Sequence, residues 1–466
     1  MSKILRVAAI VAAAAVPMLG QEGEKDWQER MKALETQNQE ILKRLEKSEA
    51  TNASLNEELN RVKVEQQHEK MSEALETTIN SLSNDDTAVT WSKLTKSGNP
   101  IQFYGYVRMD MYYDSARLNN VIVPIRVLPE DGVATDDNDD QFAFDSRLTR
   151  IGMNINAGHI GQADVTGKIE IDFANFPAGV AESRETLRMR LGYINIDFGA
   201  ITLRFGQDWD IISPIFPSVN YEMMMWNAGN LGDRRPMAQF IWDADISEDT
   251  QFSLKIGAGL TGAVDNNDLD AGAAGITTER DGFDSGHPHA QIRAGIVTGS
   301  WVEKKKIEFG VYGAIGGLEY DRQYNGEDEY TTWLVGLDLN LPLFGGFGLR
   351  GEFFFGDALS DFRGGIAQAI NTTSGEEIAS LGGWGEFYWV ASDEWKFHIG
   401  GTIDDPRNGD LNATNPDLNW SMYVGTVYTF GGGLKTGLDV IFWETQYKDS
   451  DLGNAVRVNM FIQLDF

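Results

Sequence analysis

Three hydrophobic patterns follow one another along this chain. The first is a short one: Lys3 and Arg6 precede an apolar run from Val7 to Leu19, broken only by Pro17. A positive flank before an apolar stretch of this length reads as a secretory signal peptide, residues 1–20, removed before folding; the cut is left open between Ala15 and Gly20. No cysteine follows it, which excludes a lipoprotein anchor. The second pattern repeats every three and four residues, through Trp27, Met31, Leu34, Asn38, Ile41, Leu45, Ser48, Asn52, Leu55, Leu59 and Val62. A stripe of two positions in seven is narrower than a globular helix uses, so it predicts an α-helical coiled coil over 24–82 and a linker over 83–100. Asn38 and Asn52 share a heptad position, where a buried amide fixes register; dimer and trimer both stay open. At ~1.5 Å per residue the coil makes a stalk of roughly 65 Å.

From Ile101 to Phe466 the period falls to two. Sixteen alternating segments start near Ile101, Phe144, Asp164, Thr186, Ile201, Met237, Gln251, His289, Lys306, Tyr330, Phe347, Ile378, Glu394, Leu418, Gly433 and Ala455. Short connections such as Gly199-Ala200, 247–249, Ser392-Asp393 and Gly431-Gly432 interleave with long ones at 116–141, 208–236, 262–287 and 357–376. An even strand number with short turns at one end and long loops at the other describes an all-β fold, a 16-stranded antiparallel transmembrane β-barrel over 101–466. The last strand shows the two faces: Val456, Val458, Met460, Ile462, Leu464 and Phe466 point one way, Arg457, Asn459, Phe461, Gln463 and Asp465 the other. Only a closed sheet can put that apolar face against lipid without leaving unpaired backbone. After the signal peptide no apolar run approaches the ~18 residues of a spanning helix.

Composition narrows the function. The 466 residues include no cysteine, which removes disulfides, zinc–thiolate sites, iron–sulfur clusters and thiol catalysis. A formal charge of −31 argues against nucleic acid as a partner, because a duplex is met by clustered lysine and arginine. His287-Pro288-His289 lacks a third ligand nearby, so no metal is assigned. The acidic stretches 136–140 and 265–270 match no complete calcium loop and read as solvated, with lipopolysaccharide-bridging ions as the other option. Five histidines, one of them His68 in the coil, give little basis for a hydrolase, and neither enzyme activity nor a cofactor is expected.

Taken along the two-residue period, Arg108, Arg150, Lys168, Arg188, Arg190 and Arg204 face inward on strands one to five, and Arg457 faces inward on the strand that neighbours the first. They read as one basic wall of the pore; the plainer reading pairs each with a neighbouring inward acid. The connection 208–236 carries Trp209, Pro214, Pro217, Trp226 and three methionines, too apolar to stand in water. It is therefore expected to fold inward as the constriction, ending at Arg234 and Arg235. Asp208, Asp210, Glu222 and Asp233 would then face the basic wall across a narrow gap, creating a transverse field. An external loop making subunit contacts is the other reading.

A terminal Phe466 closing an alternating strand resembles the assembly signal of Gram-negative outer-membrane barrels, which implies recognition by the barrel assembly machinery. Ser146-Arg147-Leu148-Thr149-Arg150-Ile151-Gly152 followed by Gly167-Lys168-Ile169-Glu170-Ile171 resembles a hairpin of the general porins. The stretch RMRLGYINIDFGAITLRFGQDWDIISP from Arg188, then Phe216-Pro217, then NAGNLGDRRPMAQF from Asn227, resembles the DcaP-type porins. That resemblance implies a homotrimer of sixteen-stranded subunits in the outer membrane, in contact with lipid and lipopolysaccharide, with an N-terminal coiled coil in the periplasm. It also implies passive diffusion of small hydrophilic solutes, anions or dicarboxylates among them. The run Tyr221 to Trp226 departs from that pattern. A second function remains open, a structural tether from outer membrane to cell wall worked by the coil, although no separate wall-binding segment lies between signal and coil.

Overall fold

The structure, a computed structural model, describes residues 101–130, 139–175, 186–261 and 285–466, with Lys32 and Lys43. The expected signal peptide, coiled coil and linker lie outside the described residues, apart from Lys32 and Lys43, both helical; so do 136–138 and 265–270. The chain divides into two units, 1–90 and 91–466. The second is an all-β closed barrel of sixteen antiparallel strands.

In chain order these are β1 Ile101–Asp114, β2 in two pieces (Gln141–Asp145 and Arg150–Ile160), β3 Ala163–Asn175, β4 Thr186–Asp197, β5 Ile201–Trp209, β6 Arg234–Asp245, β7 Gln251–Gly259 and β8 His289–Gly299. The rest are β9 Lys306–Tyr324, β10 Glu327–Phe344, β11 Phe347–Asp357, β12 Ala379–Val390, β13 Trp395–Pro406, β14 Pro416–Gly431, β15 Leu434–Tyr447 and β16 Ser450–Asp465. Each pairs with the next, and β16 pairs with β1 from Tyr106↔Asp465 to Asp114↔Arg457, so the sheet has no free end. The backbone of Phe466 completes the seam, donating to the Gly105 carbonyl at 3.0 Å and accepting from the Gly105 N–H at 3.2 Å. A Cβ on Gly105 would overlap the Arg150 carbonyl oxygen, so a side chain there forces β1 and β2 apart beside the seam.

Alternation sorts the side chains. Val107, Ile151, Ile169, Met189, Phe205, Phe240, Ile256 and Ile292 are exposed on the outside of the first eight strands, and Val311, Val335, Phe353, Leu381, Ile399, Val424, Leu438 and Met460 on the last eight. Many of the buried inward positions are polar, among them Asp110, Glu170, Gln239, Gln291, Asp338, Glu352, Glu386, Asp404, Asn419, Asp439 and Asn459. An apolar exterior around a hydrogen-bonded polar lumen is what a bilayer demands of a spanning sheet.

Two local departures from the even pattern matter. The second strand does not run unbroken through the Ser146–Gly152 motif. Residues 146–149 leave the ladder in a turn closed by Thr149 N–H on the Ser146 carbonyl (3.0 Å), and Arg147 folds back to donate from its backbone N (2.6 Å) and Nε (2.5 Å) to Asp145. Such an interruption re-aims one side chain, here Arg147, into the barrel. The second departure is between β9 and β10, where a long loop is replaced by a two-residue turn. Asn325 and Gly326, both at positive φ (56° and 94°), suit a tight hairpin turn. The length appears instead in strands of 19 and 18 residues, whose Tyr320, Tyr324 and Tyr330 form an apolar cluster with Ala358, Ala369 and Ile370.

Candidate constriction

The connection 210–233 crosses the lumen and is fastened to the far wall by carboxylates and an amide. Gln291 on β8 accepts from Ile211 N–H at 2.6 Å. Glu352 on β11 accepts from Ser213 Oγ and, at 3.1 Å, from Ile215 N–H. Glu386 on β12 takes both the N–H and the hydroxyl of Ser218 at 2.7 Å, and Asp439 on β15 takes Asn220 N–H at 2.7 Å and its Nδ2 at 3.0 Å. Each carboxylate thus satisfies backbone donors that a loop in mid-lumen would otherwise leave unpaired.

The loop's apolar side is equally committed. Tyr221, Met223, Met225 and Trp226 are buried against Tyr112 of β1, Tyr423 of β14, and Ile441 and Trp443 of β15. The methionine run fits this site because an unbranched thioether fills irregular space. Met224, Met225 and Asn227 hold left-handed φ of 45°, 63° and 60°, uncommon for such side chains. At Gly229 the loop meets the barrel backbone: a Cβ there would lie 2.7 Å from the Ile403 N atom.

A second loop, 358–378, joins the first, and nothing in the sequence reading assigned it this place. Arg235 at the start of β6, fully buried, is the clamp. Its guanidinium donates to Asp210 through Nε (2.6 Å) and Nη2 (3.0 Å), to the Asp361 carboxylate through Nη1 (2.7 Å), and to the Asp361 carbonyl through Nη2 (2.8 Å). Gly232 N–H donates to the Phe362 carbonyl (2.8 Å) and Asn227 N–H to the Arg363 carbonyl (2.7 Å). Leu359, Phe362 and Ile366 are fully buried. The available signal was their apolar character inside a nominally external connection, the same signal that singled out 208–236.

The expected basic wall divides into four kinds of residue. Arg457 is buried completely, donating to Asp114 at 3.0 Å and to the Val121 carbonyl at 3.0 Å under the ring of Tyr112, so it faces no solute. Arg108 pairs with Asp110 at 2.6 Å and lies over Phe461, while Arg190 pairs with Glu170 (2.7 Å) and Asp172 (3.0 Å). Arg150, Arg188 and Arg204 keep 23%, 27% and 22% of their side chains open. Lys168 lies 4.9 Å from the Tyr104 ring centroid with no ion pair among the described residues.

The loop acids do not face this wall across an open gap. Two of them touch it, Glu222 bridging Arg188 (2.8 Å) and Arg147 (2.9 Å) and Asp208 pairing with Arg204, while Asp210 pairs with Arg235 outside it. Asp233 lies between Arg234 (3.0 Å) and Arg363 (2.8 Å). A carboxylate held this close to a guanidinium removes most of the Coulomb energy of separation, so contact wins over an empty slot. Burial alone would raise the Asp233 carboxyl, but the two flanking guanidiniums outweigh it and hold the group well below the usual carboxylate range. Arg190 and Arg234 flank the ring of Trp209 at 5.8 and 4.9 Å, and Arg363 lies 5.4 Å from that of Trp226.

No family profile and no curated protein matches the chain. Solved structures do. The outer membrane channel DcaP of Acinetobacter baumannii superposes with a TM-score of 0.62 at 17% identity, covering 78% of this chain and 97% of the other. OmpF of Salmonella typhi, in complex with daunomycin, gives 0.52 at 12% identity over 79% and 98%. The fold is that of the outer-membrane porins. In this porin fold the inward connection follows β5, and the closed sixteen-strand sheet with its seam at Phe466 supplies the frame.

Proposed function

We propose that the chain is an outer-membrane diffusion channel for small hydrophilic solutes, with the gap between the 210–233 loop and the β2–β5 wall as its constriction. The observation that carries this reading is the solvent access retained by Arg150, Arg188 and Arg204 beside a loop otherwise buried within the barrel. Solvated guanidiniums at a narrow passage bind carboxylates bidentately and weakly enough to release them, which favours anions and dicarboxylates over cations. The channel is a passive one, working without cofactor or covalent step. The heptads over 24–82 support self-association through a coil in the periplasm, the resemblance to DcaP-type porins makes that assembly a homotrimer, and Phe466 serves assembly as well as closure.

Full-length protein extracted in detergent and inserted in a planar bilayer under a salt gradient tests this. Stepwise channels closing in threes, anion selectivity and block by succinate are expected. A cation-selective pore indifferent to Arg204→Ala and Arg190→Ala defeats the anion assignment, and a folded barrel without channels defeats the diffusion reading.

A further inference from the structure

Between β2 and β8, toward the short turns, the lumen wall borders a cavity of about 820 Å³ that shares Arg204 with the constriction. Three cations line it on three strands, Arg204 on β5, Lys255 on β7 and Arg293 on β8, together with the carboxylates of Asp164, Asp197 and Asp243. Lys255 stands directly opposite Arg293 in the β7–β8 register, and like charges so placed repel. The protein answers two of the three. Asp338 accepts from Arg293 Nε at 2.8 Å and Nη2 at 2.6 Å, and Arg204 is met by Asp208 and by Asn195 at 2.8 Å. Lys255 makes neither an ion pair nor a hydrogen bond among the described residues, and around it the two guanidiniums are set against the carboxylates of Asp243 and Asp208. An ammonium left open between two satisfied guanidiniums is an anion's position.

The surroundings narrow the anion. Gln251 and Ser253 precede Lys255 by four and two residues and so share its face of β7. Thr202 and Asn195 approach from the neighbouring wall, and Asp243, opposite Ser253, offers an acceptor. The only sizeable apolar groups in the lining are Ile241 and Val297, so an aromatic or long aliphatic acid finds little to pack against. A hydroxyl-rich solute satisfies the amides, hydroxyls and carboxylates together.

We propose that Lys255, with Arg204 and Arg293, forms a second solute site that takes a polyhydroxylated anion, a sugar acid or sugar phosphate, after it has passed the constriction. The site rests on the diffusion reading above. Its partners are the lysine for the anionic group and the amide and hydroxyl side chains for the sugar hydroxyls.

Gluconate, succinate and glucose added to single channels of the full-length protein test it. Gluconate is expected to block wild type, and Lys255→Gln to raise its half-blocking concentration about tenfold, the loss of one charge-assisted hydrogen bond. Lys255→Arg should restore block, which separates charge from any folding defect, and heat-modifiable migration on gels checks that both variants fold. Glucose should leave the current unchanged. An unaltered gluconate half-block in Lys255→Gln overturns the site, and an equal rise for succinate overturns the hydroxyl-rich ligand. A wild-type channel insensitive to gluconate overturns the site while the porin reading stands; a barrel that does not conduct overturns both.

Discussion

The two walls that hold the 210–233 loop use carboxylates in opposite ways. On the near side, β2 to β6, Glu170, Asp172, Asp208 and Asp210 are matched by arginines. On the far side Glu386 also meets a guanidinium, that of Arg350 at 2.9 Å, but Glu352, and Asp404 under the second loop, have no ion pair among the described residues and are held by neutral donors: Ser213 and Ile215 on the first, Gly365, Ile366 and Ser380 on the second. The near wall is therefore close to neutral pair by pair, with guanidiniums still reaching solvent, whereas Glu352 and Asp404 are buried without a cation, a setting that disfavours a carboxylate's charge. The loop acids serve mainly to bind the loop to the near wall.

If the near side is ionic, its largest single dependence is Arg235. Replacing it by leucine leaves Asp210 and Asp361 buried without their cation, a loss of about 3–5 kcal/mol for one partner of a buried pair. The 210–233 and 358–378 loops should separate, seen as protease cleavage within them and noisier single-channel current. Protease resistance equal to wild type would show that the apolar contacts alone hold both loops. Next in size is Gly229→Val. The side chain would push against the Ile403 backbone and displace the loop from β13, costing about 1–3 kcal/mol as overpacking does. The barrel should persist, with lowered thermal resistance and altered conductance.

Much of the frame was legible because a closed barrel repeats one simple rule. Strands at Thr186, Ile201, Gln251, His289, Lys306 and Phe347 begin where the alternation begins. What was not legible depends on contacts distant in sequence. Arg147 leaves β2 to reach Glu222, 75 residues away, and Arg235 finds Asp361 across 126 residues. No local pattern encodes such pairs. Arg457 lies on the inward period of β16, and the residue is covered by the 115–130 connection through Val121. Facing inward and being reachable by a solute are different properties, and alternation reports only the first.

A paired comparison sharpens the electrostatic contrast. Arg188→Ala removes an exposed guanidinium, while Asp172 keeps Arg190 and Glu222 keeps Arg147. Stability should change little and reversal potentials should move toward cations, with weaker succinate block. Glu352→Gln retains an acceptor for Ile215 and Ser213 at a buried site without a cation, so reversal potentials should move far less than in Arg188→Ala. Equal shifts in the two variants would mean that the far wall carries a charge the current senses.

The smallest expected effect is one of acid. Asp233 sits between Arg234 and Arg363 with its carboxyl held below the usual range, so it is the folded state that binds its proton less readily. The contact therefore contributes fully above the ordinary carboxylate pKa of ~3.9 and fades only as pH falls through the lower folded value. Between pH 7 and pH 4 the Arg363 contact should stay intact. Single-channel conductance of wild type and Asp233→Asn should then differ by a constant amount across that interval. A difference that shrinks on acidification would place the Asp233 proton within the working range, and with it a near wall less tightly paired than the Arg234 and Arg363 distances of 3.0 and 2.8 Å indicate.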